Sequence, residues 1–330
     1  MIVEAWMVVE HGEPVEVLSR AEVDMPSPGE GEARVEVAAN GLNFLDAAIC
    51  RGAHPVKPEL PFVLGAELVG TVVEIGRGVA ETALGRRVVA INPKAHGCFA
   101  EQVIVPGSAI LPVPSSISDE VAASLLVTYQ TAHLALHRRA RVRPGEWVLV
   151  TAAAGGLGTA LVQLARAAGA RVIACAGSPE KVEVCRAQGA EVAIDYQEEP
   201  LQLRVMEATG GAGVDVVCDA VGGEVFDVLL ECLAFEGRIL PIGWSSGEMP
   251  LLEAGPLVAR NADLIGVSWG SAYPERRPDL VRRAHDEITA LVEAGTVRPV
   301  IPKVWDVSEL PQAVQALADG ETVGKAVVSW

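Results

Sequence analysis

The pattern of hydrophobic positions changes near residue 120 and divides the chain into two parts. Before that point, short apolar runs alternate with Gly and Pro turns, and residues 35–38, 69–75 and 87–91 are predicted to be strands of a β-rich, barrel-like domain. After it, apolar strands alternate with helical patterns of about 10 to 15 residues. The second pattern predicts βαβ units, whose right-handed crossovers place the strands in one parallel sheet.

Six strands are predicted for this doubly wound parallel sheet. They cover residues 147–150, 171–176, 191–195, 214–219, 237–243 and 262–268. Beyond Pro274 a charged amphipathic helix extends to about Ala294, and residues 300–305 and 324–330 are predicted to be strands with a short helix between them. We expect this tail to return to the first domain, so the predicted domain boundaries are 1–119, 120–270 and 271–330.

A cradle for a dinucleotide is predicted where the strand 147–150 meets the helix that follows it. The connecting turn is rich in small residues, with Gly155, Gly156 and Gly158 at its end. Small side chains let a pyrophosphate approach the backbone, and the free N–H groups at the helix start can bind its phosphates. The same kind of turn occurs in α/β proteins that bind no nucleotide, so a purely structural role stays open.

The end of the next predicted strand indicates which nicotinamide cofactor is preferred. An NAD-binding fold usually has an acidic residue here, which binds the ribose 2′-hydroxyl. This chain instead has Gly177, Ser178 and Lys181, a small residue, a hydroxyl and an ammonium that suit a 2′-phosphate, and we therefore predict NADPH. Ser178 can also cap the helix that begins at Pro179, with Lys181 in solvent, and the two roles can hold together.

Composition limits the remaining choices. At 330 residues the chain is longer than one core comfortably fills, and its 50% hydrophobic but 4% aromatic residues suit α/β layers. A net charge of −17 argues against nucleic acid and anionic membranes as partners. The start of the chain, with Glu4 and Glu10, is predicted to be a strand and not a secretory signal. The six cysteines show no paired spacing, which predicts reduced core residues in a cytoplasmic protein.

No metal site is predicted from the histidines. His133 and His137 are four residues apart, but no carboxylate accompanies them, and the other histidines have no spaced set of partner ligands. The basic run that follows, up to Arg143, instead favours the end of a helix before Pro144 and Gly145.

Several separated motifs, which follow one another in the order found in a known family, carry a family resemblance. They are residues 60–76 (LPFVLGAELVGTVVEIG), 85–90 (GRRVVA), the glycine turn, and 214–223 (VDVVCDAVGG). Together they resemble the medium-chain dehydrogenase/reductase superfamily, and within it the zinc-free quinone oxidoreductase branch that includes zeta-crystallin. The resemblance covers essentially the whole chain. It implies a GroES-like catalytic domain, a Rossmann domain that binds NADPH, and a homodimer formed by joining the Rossmann sheets edge to edge.

The resemblance also implies which residues bind the cofactor. The implied set is Asn43 and Thr131 near the nicotinamide, Gly155, Gly156, Leu157 and Gly158 at the pyrophosphate, Ser178, Lys181 and Tyr196 at the 2′-phosphate and ribose, and Gly243, Trp244 and Val267 on the nicotinamide side. Ala154, Gly177, Val221 and Trp269 complete this predicted set. For Tyr196, a role as a packing wedge at a strand end stays open.

His54 stands where quinone and enoyl reductases of this family usually carry a tyrosine, and with Asn43 it forms the predicted catalytic pair. An imidazole there could donate a hydrogen bond to a substrate oxygen or deliver a proton. A loop histidine chosen for packing is the alternative.

Two departures from the family pattern affect the expected chemistry. Zinc-dependent relatives carry a cysteine where this chain has Asn43 and a histidine where it has Ala66, so a tetrahedral zinc site cannot form. Quinones and enones delocalise the incoming charge onto their own oxygen, and we therefore predict metal-free hydride transfer from NADPH to such acceptors. Residues 319–324 also lack the basic residue that the family often directs to the 2′-phosphate, which would weaken discrimination against NADH.

Two other functions stay open from the sequence. A 2-enoyl-thioester reductase would need cations for a CoA or carrier phosphate, and Arg276, Arg277, Arg282 and Arg283 could supply them, although a solvated helix face suits these residues better. The other is an NADPH-binding structural or regulatory protein in which turnover is incidental, and tight NADPH binding without consumption across all acceptors would favour it. The sequence does not name the substrate, because specificity depends on the shape of the site.

Overall fold

The computed structural model describes residues 1–270 and 272–330. The chain forms two compact units: unit 1 comprises Met1–Gln130, Trp269–Ala294 and Ile301–Trp330, and unit 2 comprises Thr131–Ser268 and Gly295–Val300. The strands are β1 (Ile2–Val8), β2 (Leu18–Asp24), β3 (Glu32–Gly41), β4 (Phe62–Val63), β5 (Glu67–Ile75), β6 (Arg87–Ile91), β7 (Gln102–Pro106), β8 (Ile110–Pro112), β9 (Trp147–Val150), β10 (Arg171–Ala176), β11 (Val192–Asp195), β12 (Val214–Asp219), β13 (Leu233–Pro241), β14 (Asp263–Leu264), β15 (Val304–Asp306) and β16 (Val327–Ser329). The helices are α1 (Pro14–Val17), α2 (Phe44–Cys50), α3 (Asp119–Ser124), α4 (Gln130–His133), α5 (Gly156–Ala167), α6 (Pro179–Ala187), α7 (Leu201–Ala208), α8 (Val225–Glu231), α9 (Ala254–Arg260), α10 (Tyr273–Arg276), α11 (Pro278–Glu293) and α12 (Leu310–Ala318).

Unit 1 is built mainly on antiparallel strands. One sheet has the order β15–β16–β3–β5–β6–β8, with β7 also paired to β3, and a smaller sheet has the order β2–β1–β4. In β3, Val35 and Val37 are buried while Glu36 between them is exposed, the alternation expected of a strand with one face on the core. Because β16 pairs with β3, the end of the chain joins the sheet of the N-terminal strands.

Unit 2 contains the parallel sheet that the alternation of strands and helices predicts. Within the described residues its order is β11–β10–β9–β12–β13–β14, and all neighbouring strands are parallel. This is the doubly wound, Rossmann-type order, in which the direction of winding reverses between β9 and β12. Every residue of β9 is buried, as helices on both faces require. The carboxyl ends of strands at such a switch point are where ligands bind in this architecture.

Several predicted strands differ in extent from those observed. In unit 1, β3 is longer than the predicted 35–38, and β15 and β16 are shorter than the predicted 300–305 and 324–330; in unit 2 the largest differences are at β13 and β14. β13 begins at Leu233 instead of residue 237, because Glu236 adopts a left-handed backbone (φ 58°) and the extra residues are absorbed as a bulge against β12. β14 is limited to Asp263–Leu264, whereas the sequence predicts 262–268. In the part of the chain that the structure describes, it lies at the edge of the sheet and pairs with β13.

The helical segment before β9 ends as its basic run predicts. Its last residues, Leu134–Ala140, form wide π-helical turns, and Arg141 closes them with a left-handed backbone (φ 53°). Arg238 donates to the carbonyl oxygen of Ala140 at 2.6 Å, and Arg139 donates to that of Gly266 at 3.1 Å. One of these carbonyl groups lies at the helix end, where a cation is favourable, and the other lies just beyond β14.

All six cysteines are free and buried, which confirms the prediction of reduced core residues. Burial raises the pKa of the Cys50 and Cys218 thiols to about 12, so both stay protonated near neutral pH. Over residues 1–270 and 272–330, no helix has the length and apolar character needed to cross a membrane.

Candidate active site

The turn between β9 and α5 has close backbone packing. Gly155 is the N-cap of α5, and its N–H donates to the carbonyl oxygen of Ala152 at 3.0 Å. A Cβ on Gly158 would lie 2.2 Å from the same oxygen and 2.5 Å from the Cα of Ala153. Only glycine therefore lets the start of α5 lie against the turn. Helix geometry leaves the N–H groups of this first turn without intrahelical partners, which is the chemistry that binds phosphate.

A buried hydrogen-bond network joins the ends of β9 and β12. The Asp219 carboxylate accepts the Thr151 hydroxyl at 2.7 Å and the N–H groups of Val221 and Gly222, each at 3.0 Å. The Thr151 hydroxyl in turn accepts the N–H of Ala220 at 2.9 Å. Neither Thr151 nor Asp219 is in the predicted set. The signal in the sequence is a polar residue at the end of each of two apolar strands, which by itself does not say that the two strands are neighbours.

The residues predicted for the 2′-phosphate follow β10 and β11. Ser178 is the N-cap of α6, and its hydroxyl accepts the N–H of Lys181 at 3.3 Å, which confirms the predicted cap. Tyr196 covers Gly177: a Cβ on that glycine would lie 2.6 Å from the Tyr196 hydroxyl oxygen. Tyr196 is 42% exposed, so its ring is both a packing element and an accessible surface.

The other predicted residues of unit 2 also follow the carboxyl ends of strands. Val221 comes after β12, Gly243 and Trp244 after β13, and Val267 after β14, and all four are partly exposed. Ala154 is buried within the glycine turn, where it borders Leu157 and the first turn of α5, and Thr131 is partly exposed on α4. Trp269 is different, because it belongs to unit 1 and is only 4% exposed, so most of its indole is packed in the interior.

In unit 1, Asn43 belongs to a buried polar cluster with Glu67 and Lys325. Asn43 Nδ2 donates to Glu67 Oε1 at 2.8 Å. Lys325 Nζ donates to Asn43 Oδ1 and to Glu67 Oε1, both at 2.7 Å. Glu67 is 1% exposed and Lys325 3% exposed, so the ion pair is held away from water. Buried charges are tolerated where they are paired and hydrogen-bonded in this way.

The backbone around this cluster provides one further hydrogen bond and the space that the side chains need. The second oxygen of Glu67, Oε2, accepts the N–H of Val127 at 2.8 Å, and Val127 lies in the π-helical turn Leu125–Tyr129. A Cβ on Gly41 would lie 2.6 Å from Glu67 Oε1 and 2.8 Å from Lys325 Cε, so glycine is required there. Asn43 is predicted from the sequence, whereas Glu67 and Lys325 are not, although Glu67 lies inside the motif 60–76.

Asp46 adds a second carboxyl group beside Asn43. Its Oδ2 accepts the N–H of Asn43 at 2.7 Å in a capping box, and its Oδ1 is buried with no hydrogen-bond partner among the described residues. Burial raises the pKa of Asp46 to about 7, against the opposing effects of the Asn43 N–H and the Lys325 charge. With Asp46 protonated, the charges of Glu67 and Lys325 balance.

Asp46→Asn should make the stability of the protein less dependent on pH. The pKa of Asp46 is higher in the folded protein than the value of about 3.9 expected when unfolded, so wild-type stability falls as the pH rises from about 4 to about 7. Asparagine keeps an oxygen that can accept the Asn43 N–H but carries no charge. We expect the free energy of unfolding of the variant to gain on that of wild type by at most about 3 kcal/mol between pH 5 and pH 8, measured by denaturant unfolding.

The matched control for this prediction is Asp306→Asn. Asp306 also forms a capping box in unit 1, but it is exposed, and hydrogen bonds from Ser308 lower its pKa. Its contribution to stability is therefore present at neutral pH and lost as the pH falls through the folded pKa, the opposite direction. If the free energy of unfolding varied with pH in the same way for wild type and Asp46→Asn, the buried carboxyl group would not contribute to the pH dependence of stability.

His54 lies in the loop after α2, at the other end of that helix from Asn43. Its Nδ1 accepts the N–H of Val56 at 3.1 Å, so the neutral ring carries its proton on Nε2. Burial lowers the pKa of His54 below its usual 6.5, so the ring is mostly neutral at pH 7. The sequence leaves open whether this imidazole is neutral or charged. In the structure it is a neutral Nε2–H donor.

Comparisons with known proteins place the chain in a family. The alcohol dehydrogenase GroES-like domain matches residues 29–115, and the zinc-binding dehydrogenase family matches residues 156–286. A quinone oxidoreductase-like protein 2 homologue of Nematostella vectensis is 37% identical over 327 residues, which cover 98% of this chain and 88% of that protein. The chain belongs to the quinone oxidoreductase branch of the medium-chain dehydrogenase/reductase superfamily. The family and the fold class predicted from the sequence are thereby confirmed.

Other relatives extend this comparison to activity and to bound cofactor. A 2-haloacrylate reductase of a Burkholderia species is 33% identical over 312 residues, covering 93% of each chain. The structure of the Escherichia coli quinone oxidoreductase complexed with NADPH superposes with a TM-score of 0.91 at 29% identity, covering 99% of this chain and all of that one. A mycobacterial protein complexed with NADPH gives a TM-score of 0.91 at 34% identity with the same coverage.

The chain differs from the zinc-dependent members of the superfamily at two positions where those proteins have metal ligands. Asn43 and Ala66 occupy the positions that the resemblance assigns to cysteine and histidine ligands. In the part of the chain that the structure describes, no three His, Cys, Asp or Glu side chains form a group that could hold a metal ion.

Proposed function

We propose that the protein is an NADPH-dependent oxidoreductase that transfers hydride, without a metal ion, to quinones or to small α,β-unsaturated carbonyl compounds. The observation that carries the proposal is the glycine turn after β9, where Gly158 leaves no room for a Cβ and α5 directs unpaired N–H groups toward the carboxyl end of the sheet. Two structurally similar proteins hold NADPH, which supports the same cofactor here.

In this proposal each group of residues has a separate role in holding the cofactor. The first turn of α5 binds the pyrophosphate, Ser178 and Lys181 bind the 2′-phosphate, and Tyr196 covers the adenosine ribose. In unit 2, Thr131, Val221, Gly243, Trp244 and Val267 are assigned to the nicotinamide, and the family resemblance assigns Asn43 of unit 1 to the same part of the cofactor. Bound NADPH supplies the hydride, and the protein contributes position and electrostatics.

Quinones and enones are hydride acceptors that can react without a metal ion, which suits the side chains of this protein. Ketone reduction in the zinc-dependent relatives uses a Lewis acid to hold the developing alkoxide, and Asn43 and Ala66 cannot ligate one. Quinones and enones carry the added charge on a conjugated oxygen, for which a hydrogen-bond donor such as the Nε2–H of His54 suffices. The similarity to a 2-haloacrylate reductase supports an activated alkene as one acceptor class.

The enoyl-thioester alternative has less support. Arg277 pairs with Asp279 at 2.8 Å and Arg283 with Glu287 at 3.8 Å on or beside α11, so these cations already have partners on a charged helix face. A solvated surface explains the arginines without a CoA or carrier phosphate.

We also propose that the protein is a homodimer in the cytoplasm. β14 is an edge strand, its Leu264 is 44% exposed, and pairing of this edge with its copy in a second chain would join the two sheets of unit 2 into one. The free, buried cysteines are compatible with a reducing compartment.

The experiment that tests the function is NADPH oxidation against a panel of quinones, enones and enoyl-thioesters. We expect consumption with quinones or enones, and it should persist after exhaustive chelation. Tight NADPH binding without consumption for every acceptor would favour a structural or regulatory protein instead. If enoyl-thioesters were turned over faster than quinones and enones, the protein would be an enoyl-thioester reductase.

Lys181→Ala should raise the KM for NADPH by about 10- to 150-fold, because a charge-assisted contact with a phosphate contributes roughly 1.5 to 3 kcal/mol. The KM for NADH should stay within about twofold, since NADH has no 2′-phosphate. Arg186→Ala is the matched control, because Arg186 is an exposed cation on the same helix and pairs with Glu183. Equal effects of Lys181→Ala on both cofactors would contradict the assignment of Lys181 to the phosphate.

A further inference from the structure

Arginine side chains line a half-open cavity of about 380 Å³ in unit 2. The cavity lies between the end of the helical segment before β9 and the edge of the parallel sheet. Its walls are formed by Arg139, Ala140, Arg141, Arg143, Arg238, Asp263 and Ile265. Four of these residues are arginines, although the chain as a whole has 26 Lys and Arg against 43 Asp and Glu. This arginine cavity is therefore a local region of positive charge on a strongly acidic protein.

Two of the four arginines are held in place by hydrogen bonds. Arg238 donates to the carbonyl oxygen of Ala140 at 2.6 Å and pairs with Glu146 at 2.7 Å, and its side chain is only 15% exposed. Arg139 donates through Nε to the carbonyl oxygen of Gly266 at 3.1 Å. A guanidinium group has five N–H groups, so both side chains keep donors that these contacts do not use.

The other two arginines are exposed, and their charges are not neutralised by protein groups. In the part of the chain that the structure describes, the side chains of Arg141 and Arg143 make no hydrogen bond and no ion pair. Asp263 is the acidic residue of the cavity wall, and among the described residues its carboxylate pairs with no arginine. The arginine cavity therefore has an excess of positive charge and of N–H donors.

The backbone of Arg141 is unusual for an arginine. It has φ 53° and ψ 52°, the left-handed conformation, directly after the helical segment Leu134–Ala140. Glycine is the preferred residue at such a position, because a side chain there is strained. Backbone strain in a residue with a polar side chain is a reason to look for a function of that side chain, and the Arg141 side chain lines the cavity.

The arginine cavity is separate from the glycine turn proposed to bind the cofactor. Arg143 precedes β9 and the glycine turn follows it, so the two lie at opposite ends of that strand. Arg238 is aligned, through β12, with Val148 near the amino end of β9. The strand has four residues, which span about 13 Å. A ligand in the cavity would therefore be additional to the cofactor.

We propose that the arginine cavity binds a small polyanion with adjacent phosphate or carboxylate groups. This inference goes beyond the proposed function. Planar guanidinium groups match pairs of phosphate or carboxylate oxygens, and such charge-assisted hydrogen bonds are strong. A volume of about 380 Å³ lies within the range of small-molecule sites. The net charge of −17 disfavours an extended nucleic acid as the ligand.

The test is a calorimetric titration of the protein with pyrophosphate and with citrate at constant ionic strength. NADP⁺ is present at saturation, so that the phosphate-binding groups of the glycine turn are occupied. We expect each chain to bind one polyanion under these conditions. Tighter binding of pyrophosphate would indicate a phosphorylated ligand, and tighter binding of citrate would indicate a carboxylated one.

Arg141→Gln/Arg143→Gln should weaken binding of the polyanion at least tenfold, about the effect of losing one charge-assisted hydrogen bond. Both side chains are exposed, so this variant should fold as wild type does. The matched control is Arg186→Gln/Arg204→Gln, which removes two positive charges from exposed arginines of unit 2 outside the cavity. It should change the affinity by less than about twofold, because salt screens distant exposed charges.

Arg141→Gly separates ligand binding from stability. Glycine adopts the left-handed backbone without strain, so this variant should be at least as stable to denaturant as wild type. Its affinity for the polyanion should nevertheless fall, because a guanidinium group is lost. A loss of stability with unchanged affinity would mean that Arg141 serves only the end of the helix, and would contradict the proposal.

Each remaining outcome overturns the inference. If neither polyanion bound, or if binding were unchanged in Arg141→Gln/Arg143→Gln, the arginines would be a solvated surface. Equal weakening in the control variant would show a response to net charge alone. If the cavity variant dissociated a dimer in sedimentation and left polyanion binding unchanged, the cavity would receive acidic groups of a second copy. Failure to bind NADP⁺ would contradict the proposed function, and the comparison of variants would still decide whether the cavity binds a polyanion.

Discussion

Gly158→Ala should lose both cofactor affinity and stability. The added methyl group would lie 2.2 Å from the carbonyl oxygen of Ala152 and within 2.7 Å of the Ala153 backbone, and neither backbone group can rotate away. Such overpacking costs about 1 to 3 kcal/mol, and relief requires that α5 move away from the turn. Because that movement displaces the N–H groups proposed to bind the pyrophosphate, the Kd for NADPH should rise at least tenfold, about the loss of one charged hydrogen bond.

Two other glycines separate these effects. A Cβ on Gly155 would meet the Ala152 oxygen at 3.4 Å, an ordinary contact, so Gly155→Ala should fold normally and report only on access of the phosphate to the backbone. Gly255 in α9 has no atom within 4 Å of an added Cβ, so Gly255→Ala should be neutral or slightly stabilising. Denaturant unfolding and NADPH titration of the three variants provide the measurement. Wild-type stability and affinity in Gly158→Ala would show that the turn is not the cradle.

The parts of the fold that the sequence predicts well are those with local signals. All of β9 is buried, so its residues form an apolar run, and small residues follow it. This local pattern predicts the strand, the turn and the start of α5 without knowledge of any distant contact. The extents of β13 and β14 are predicted poorly because they depend on tertiary context. A bulge at Glu236 is decided by pairing with β12, and the length of an edge strand is decided by its single neighbour.

In the candidate site, too, features with a local sequence signal could be predicted, and features that depend on distant contacts could not. The capping role of Ser178 follows from four consecutive residues and is confirmed. The partners of Asn43 could not be predicted from spacing, since Lys325 lies 282 positions further along the chain and Glu67 24 positions. Thr151 and Asp219, 68 positions apart, meet only because β9 and β12 are neighbours in the sheet. Buried polar contacts between distant strands become visible only when the register is known.

His54→Phe should lower turnover of enones by about ten- to a thousandfold and leave NADPH binding unchanged, the order expected for loss of one hydrogen bond to an oxygen that gains charge. The physical basis is the fixed tautomer, in which Val56 occupies Nδ1 and the ring offers Nε2–H. Burial lowers the pKa of His54, so the ring is neutral across pH 7 to 8 and acts there as a hydrogen-bond donor to the oxygen that gains charge. Quinones should be less affected, since they can take their protons from water after reduction.

Two further variants distinguish chemistry from packing at this position. His54→Gln keeps an N–H donor and should recover part of the enone turnover that His54→Phe loses. His96→Phe removes another partly exposed histidine of unit 1, one that packs edge-on against Phe62 with ring centroids 5.5 Å apart, and should leave turnover unchanged. Steady-state kinetics on enones and quinones between pH 6 and 9 give the measurement. Wild-type rates on every acceptor in His54→Phe, with an unaltered pH profile, would show that His54 makes no hydrogen bond to the substrate oxygen and is a loop residue.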